Sequence, residues 1–133
     1  MRGFRLTPNP VTSGEPLRFS LALAATAPTK LAEAAILIYS SLETRIAVID
    51  LRTVSLPARL DAGQTWTVEG SIANVRFVEG DYRFGLFVHS SEFIGDVTDL
   101  VELTVQAQPH TGPVVPYSAV HRGFVELDVH VGS

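Results

Sequence analysis

The sequence predicts an all-β fold, an immunoglobulin-like antiparallel β-sandwich of about eight strands, on three observations. Apolar and polar residues alternate at period two along most of the chain, as in LRFSLAL from Leu17 to Leu23. That period belongs to a strand with one buried face. Turn signals recur about every eight to twelve residues, the spacing of sandwiches and barrels. Helical periodicity is nearly absent, and the one alanine-rich stretch, Ala25 to Ala35, is interrupted by Pro28.

The first strand is predicted at Phe4–Thr7, ended by Pro8 and Pro10. The second runs Glu15–Ala24, with Leu17, Phe19, Leu21 and Leu23 facing inward. The third is Glu33–Ser40 and the fourth Thr44–Leu51, joined by a hairpin-sized Ser41-Leu42-Glu43. The fifth, Gln64–Asn74, is expected to bury Trp66, Val68 and Ile72. The sixth, Asp81–Ser90, is expected to bury Tyr82, Phe84, Leu86 and Val88, and the seventh is Leu100–Ala107. Tyr82, just inside the sixth strand after Gly80-Asp81, matches the corner tyrosine of such sandwiches, whose hydroxyl bonds back to the preceding connection.

A bridge from Gln108 to His121 follows, with Pro109, Gly112, Pro113 and Pro116, a composition that resists helix and central strand alike. The eighth strand is predicted over residues 122–131, with the sequence GFVELDVHV from Gly123 to Val131. Alternation puts Phe124, Glu126, Asp128 and His130 on one face and Val125, Leu127, Val129 and Val131 on the other. After so long a connection, this strand can pair within its own chain or with a second copy.

At 133 residues the chain fits one domain over 1–133, and 46% hydrophobic content supports a sizeable core. No apolar run reaches membrane-spanning length, and the opening MRGFRLTPNP is strand and turn, not a signal peptide. The absence of cysteine excludes disulfides and thiolate metal sites and suits a reducing compartment. With a net charge of −4 and ten scattered basic residues, no basic stripe exists to bind nucleic acid.

Catalytic patterns are missing. The only lysine, Lys30, has no glycine-rich run before it, and there is no G-x-S-x-G elbow. The histidines His89, His110, His121 and His130 form no helical i, i+4 pair. His89 and His130, with Glu126 and Asp128, have metal-ligating chemistry, against the plainer reading of a solvated sheet face. The expectation is a protein that is not an enzyme and carries no cofactor.

Exposed aromatics point elsewhere. In the sixth strand Arg83, Gly85, Phe87 and His89 oppose the core residues. In the third, either Leu37 and Tyr39 or Ile36 and Ile38 face away from the core. Such a face is a ligand platform or a surface covered by an exchanged strand or dimer mate. Aromatic, arginine, histidine and acidic groups on one sheet suit sugar recognition, the ring covering a pyranose face while charged groups bond its hydroxyls. The candidate ligand-binding residues are Tyr39, Arg83, Phe87 and His89, joined by Asp128 or His130 from the terminal strand. The competing reading is a structural or adhesion-type sandwich whose exposed apolar groups serve protein contacts.

Four motifs in order resemble the C-terminal domain of O-antigen ABC-transporter ATP-binding proteins of the Wzt type. They are Ser13-Gly14-Glu15-Pro16-Leu17, Leu60-Asp61-Ala62-Gly63, the G-x-Y-x-x-x-L run from Gly80 to Leu86, and Gly123 to Asp128. The match spans roughly Phe4 to Val131, and it departs at Ser41–Thr44, which lacks an expected glycine. The resemblance implies a carbohydrate-binding module for a lipid-linked bacterial polysaccharide, read near its end before export. It further implies a homodimer by C-terminal strand exchange. The partners would be an ATP-binding domain and a transmembrane permease, at the cytoplasmic side of the inner membrane.

Overall fold

The computed structural model describes residues 3–25, 28–53, 59–90, 94–109, 112 and 114–127. Strands β1 (Gly3–Thr7), β3 (Leu17–Ala24) and β6 (Thr65–Ile72) form one sheet in the order β1-β3-β6. Strands β2 (Val11–Thr12), β4 (Leu31–Ser40), β5 (Arg45–Asp50), β7 (Gly80–Ser90) and β8 (Ile94–Gln106) form the other, in the order β2-β8-β7-β4-β5. All pairings are antiparallel except β2 with β8. This is the immunoglobulin-like sandwich expected from the alternation.

The core fills with the residues whose spacing singled them out. Leu17, Phe19, Leu21, Trp66, Val68, Tyr82, Phe84 and Leu86 are all buried, while Leu23, Ile72 and Val88 are half-buried against them. Phe4 meets Phe84 edge-to-face, with centroids 6.1 Å apart. The two inner faces thus interlock as stacked sheets do. The Tyr82 hydroxyl donates to the Val78 carbonyl at 2.5 Å, the expected corner.

Four features differ from the sequence reading. First, β1 ends before the prolines as expected, but a further short strand follows them. Pro8 and Pro10 break the β1 ladder, and the Asn9 side chain bonds across to β8 instead, donating to the Glu102 carbonyl (2.7 Å) and accepting from the Thr104 amide (3.2 Å). The chain thereby crosses to the second sheet, where Val11 and Thr12 pair with Val105 and Gln106.

Second, the β4–β5 hairpin forms where expected, but it closes without glycine. Glu43 takes the left-handed conformation (φ 64°), and the buried Ser40 hydroxyl accepts from the Leu42 and Thr44 amides at 3.2 Å each. A side-chain acceptor replaces the turn chemistry that glycine would supply. Third, β8 begins at Ile94, not Leu100, because Ile94, Gly95, Asp96 and Val97 find partners on β7. Tertiary pairing overrides the poor strand propensity of Gly95 and Asp96.

Fourth, the terminal segment is no strand as far as it is described. After a 3₁₀ turn at Ala119–His121, it makes one bridge, Phe77 with Val125. The Val78 amide donates to the Phe124 carbonyl, and the Glu126 amide to the Arg76 carbonyl. Its neighbour is a loop, which offers no ladder to extend, so Val125 and Leu127 remain exposed. Arg122 anchors the segment through Glu79 and Glu126. The predicted positions 128–131 lie outside the described residues.

Candidate functional site

The register of β4 against β7 decides which residues share the outer face of the five-stranded sheet. Ile36 and Ile38 join the core, so Glu33, Ala35, Leu37 and Tyr39 face outward. Across from them on β7 stand His89, Phe87, Gly85 and Arg83 respectively. Four of the six predicted contact residues, Tyr39, Arg83, Phe87 and His89, are therefore on one surface. Asp128 and His130 lie outside the described residues.

The four form two groups, not one. Arg83 and Phe87 are four residues apart on one strand, about 13 Å at the usual strand rise. At one end, Tyr39 lies opposite Arg83. The Tyr39 hydroxyl accepts from Arg45 Nη2 at 2.9 Å, and the Arg45 guanidinium stands 5.4 Å from the ring centroid. Arg83 Nη1 donates to Glu43 Oε1 at 3.3 Å. A depression of about 440 Å³, lined by Ser41, Asp81, Arg83, Val101 and Glu102, opens beside this group. Its wall is fixed by Thr104 Oγ1 donating to Asp81 Oδ1 at 2.9 Å.

At the other end, Phe87 and the exposed Val48 wall a depression of about 210 Å³ whose rim carries Glu33, Asp50 and Arg52. The 3₁₀ turn Leu51–Thr53 directly after β5 brings Arg52 back over the sheet. Its Nε and Nη2 donate to Asp50 at 3.0 and 2.8 Å, and its Nη1 to Glu33 Oε1 at 3.2 Å. His89 Nδ1 stands 3.6 Å from Glu33 Oε2. The side-chain hydrogen bonds from Arg52, helped by the Arg52 amide, hold the Asp50 carboxyl down at about 2, and the same pairing raises Arg52. Asp50 is thus a fixed anionic acceptor.

Between the groups Leu37 is only 3% exposed although it faces away from the core, so its neighbours on the face close over it. Phe87 and Val48 give the second depression apolar surface, and charged side chains line both depressions. Such a surface can stack an apolar sugar face and accept hydrogen bonds from hydroxyls. Among the described residues, no cluster of three or more His, Asp or Glu side chains could hold a metal ion.

Sequence reasoning missed Glu33, Val48, Asp50 and Arg52. Counting back by twos from Tyr39 reaches Glu33, so that residue was accessible to alternation alone. Asp50 and Arg52 needed the hairpin register and the 3₁₀ turn, which alternation does not encode.

Fold and face together define an immunoglobulin-like sandwich that presents one sculpted, charged sheet surface. The same fold occurs in the crystal structure of the C-terminal domain of Wzt, with a TM-score of 0.64, 14% sequence identity, and coverage of 99% of this chain and 80% of that one. No protein-family model matches the sequence, and no curated protein matches it. The structural likeness bears out the resemblance read from the four motifs at the level of fold.

Proposed function

We propose that this chain is a carbohydrate-binding module that takes the terminal region of a bacterial O-antigen-type polysaccharide on the outer face of the five-stranded sheet. The observation that carries the reading is the pairing of an apolar wall, Phe87 with Val48, and a preset polar rim, Glu33–Arg52–Asp50. The Phe87 ring covers one pyranose face, the Asp50 and Glu33 oxygens accept from its hydroxyls, and Arg83 with Tyr39 engages sugar units further along. The binding is reversible and breaks no bond, so the module is not an enzyme. The fold shared with the C-terminal domain of Wzt supports this reading. It would serve an ABC exporter, beside an ATP-binding domain and a permease, at the cytoplasmic face of the inner membrane. No helix among the described residues is long and apolar enough to cross a membrane.

Two copies exchange their terminal segments in this proposal, which delivers Asp128 and His130 to the partner's face. The exposed apolar residues Val114, Val115, Tyr117, Val120 and Leu127 support it, because a second copy would remove them from water. The same residues favour the second reading, a protein-contact sandwich that binds no sugar.

Binding of the purified chain to a panel of O-polysaccharides, end-modified chains included, separates the two when solution mass is taken alongside. Phe87→Ala should weaken glycan binding about tenfold or more, from the loss of roughly 1.5–3 kcal/mol of aromatic burial, and Arg83→Ala should weaken it too. Unchanged affinity in both folded variants moves the site off this face. No binding across the panel, with dimer lost on changing Phe87, establishes the protein-contact reading.

A further inference from the structure

We propose that the glycan segment laid on this sheet face carries no net negative charge. The inference rests on the sugar-binding reading and sharpens it to a substrate class.

The described acids at the face are Glu33, Glu43, Asp50, Asp81 and Glu102, against the cations Arg45, Arg52 and Arg83. Acids outnumber bases, and each guanidinium is already engaged. Arg52 spends its Nε and Nη2 on Asp50 and its Nη1 on Glu33. Arg83 bonds Glu43 through Nη1 and the Ser41 carbonyl through Nη2 at 3.5 Å. Arg45 donates to Tyr39 and lies against its ring. His89 Nδ1 faces the Glu33 carboxylate at 3.6 Å.

On the neighbouring strand, Asp96 occupies the register position opposite Phe87. Sites that take carboxylate or phosphate groups present uncommitted arginines or backbone amides. Here an incoming anion meets carboxylates at both depressions and would have to displace one from its arginine. A neutral or amino-bearing sugar has the opposite experience. Its hydroxyl and ammonium groups donate, and the carboxylates they meet are held in place, so little reorganisation is needed.

The test uses the whole chain and the tightest-binding polysaccharide of the O-polysaccharide panel, titrated calorimetrically before and after oxidation of its primary hydroxyls to carboxylates. The expected result is that the native polymer is neutral or amino-bearing and that oxidation weakens binding at least about tenfold. Raised salt should recover part of that loss, because exposed charges are screened. Equal or tighter binding of the oxidised polymer, or selection of an acidic polysaccharide whose affinity falls with salt, overturns the inference and leaves the glycan reading standing. Binding of no polysaccharide at all overturns the glycan reading, and this inference with it.

Discussion

Replacing Tyr82 with phenylalanine removes one oxygen from the corner that ties β7 to the loop before it. The ring stays packed on Phe77, with centroids 4.9 Å apart, so the apolar burial is kept. What goes is the hydrogen bond to the Val78 carbonyl, beside a residue only 2% exposed. Leaving that acceptor unsatisfied costs about 1–3 kcal/mol. In a domain of this size, the loss lowers Tm by roughly 5–10 °C. Trp66, the only tryptophan and a core residue, reports unfolding in urea or heat.

The pH dependence makes the test sharper. Burial first, then the charges of Glu79 and Glu126, pushes the Tyr82 hydroxyl from 10.0 up to about 12. Above pH 10 the unfolded chain has released this proton while the folded chain retains it, so the unfolded state gains. Stability contributed by Tyr82 is complete below pH 10 and is lost as pH rises to about 12. Phenylalanine has no such proton, so the gap between wild type and variant should narrow over that window. A variant as stable as wild type at neutral pH, or a gap that stays constant through the alkaline window, would refute the corner argument.

Two further outcomes follow from local geometry. Gly70→Ala would place a Cβ 2.4 Å from Phe19 Cζ, so overpacking should destabilise the protein by about 1–3 kcal/mol in urea unfolding; a neutral substitution would show that the ring does not fill that space. The Asp50 carboxyl should titrate at about 2 by NMR, and its pairing with Arg52 should hold above pH 3.8 and loosen as pH falls through about 2. Arg52→Ala should return Asp50 to the ordinary carboxylate range, and an ordinary titration in the wild type would count against the rim as described.

Alternation revealed the core because burial on one sheet face imposes period two directly on the sequence. Phe19, Trp66, Phe84 and Leu86 could be placed inward from spacing alone, and the outward set Arg83–Phe87–His89 followed from the same count. What alternation cannot express is who pairs with whom. Glu33 and Asp50 meet at Arg52 only because a hairpin folds β5 onto β4 and a 3₁₀ turn reverses after it. The strand Val11–Thr12 was invisible for a related reason. Two residues between prolines carry no period, and their partner, β8, is more than ninety positions away. The terminal segment misled in the opposite direction. GFVELDVHV alternates as a strand does, yet through Leu127 it lies against a loop that cannot extend a ladder.

The crossing of the N-terminal strand between the sheets has a mechanical consequence. Residues 9 to 14 run beside 102 to 108 in the same direction, joined by the Asn9 contacts, the Val11 and Thr12 pairings, the Ser13 amide to the Gln106 carbonyl, and the Gln108 side chain to the Ser13 carbonyl. Tension applied between the start of β2 and the end of β8 would pull these parallel neighbours past each other. All of those bonds would then bear load together as shear, instead of parting one by one as a peeled antiparallel pair does. A pull exerted along the chain would therefore reach the five-stranded sheet as a rigid displacement, with its outer face still intact.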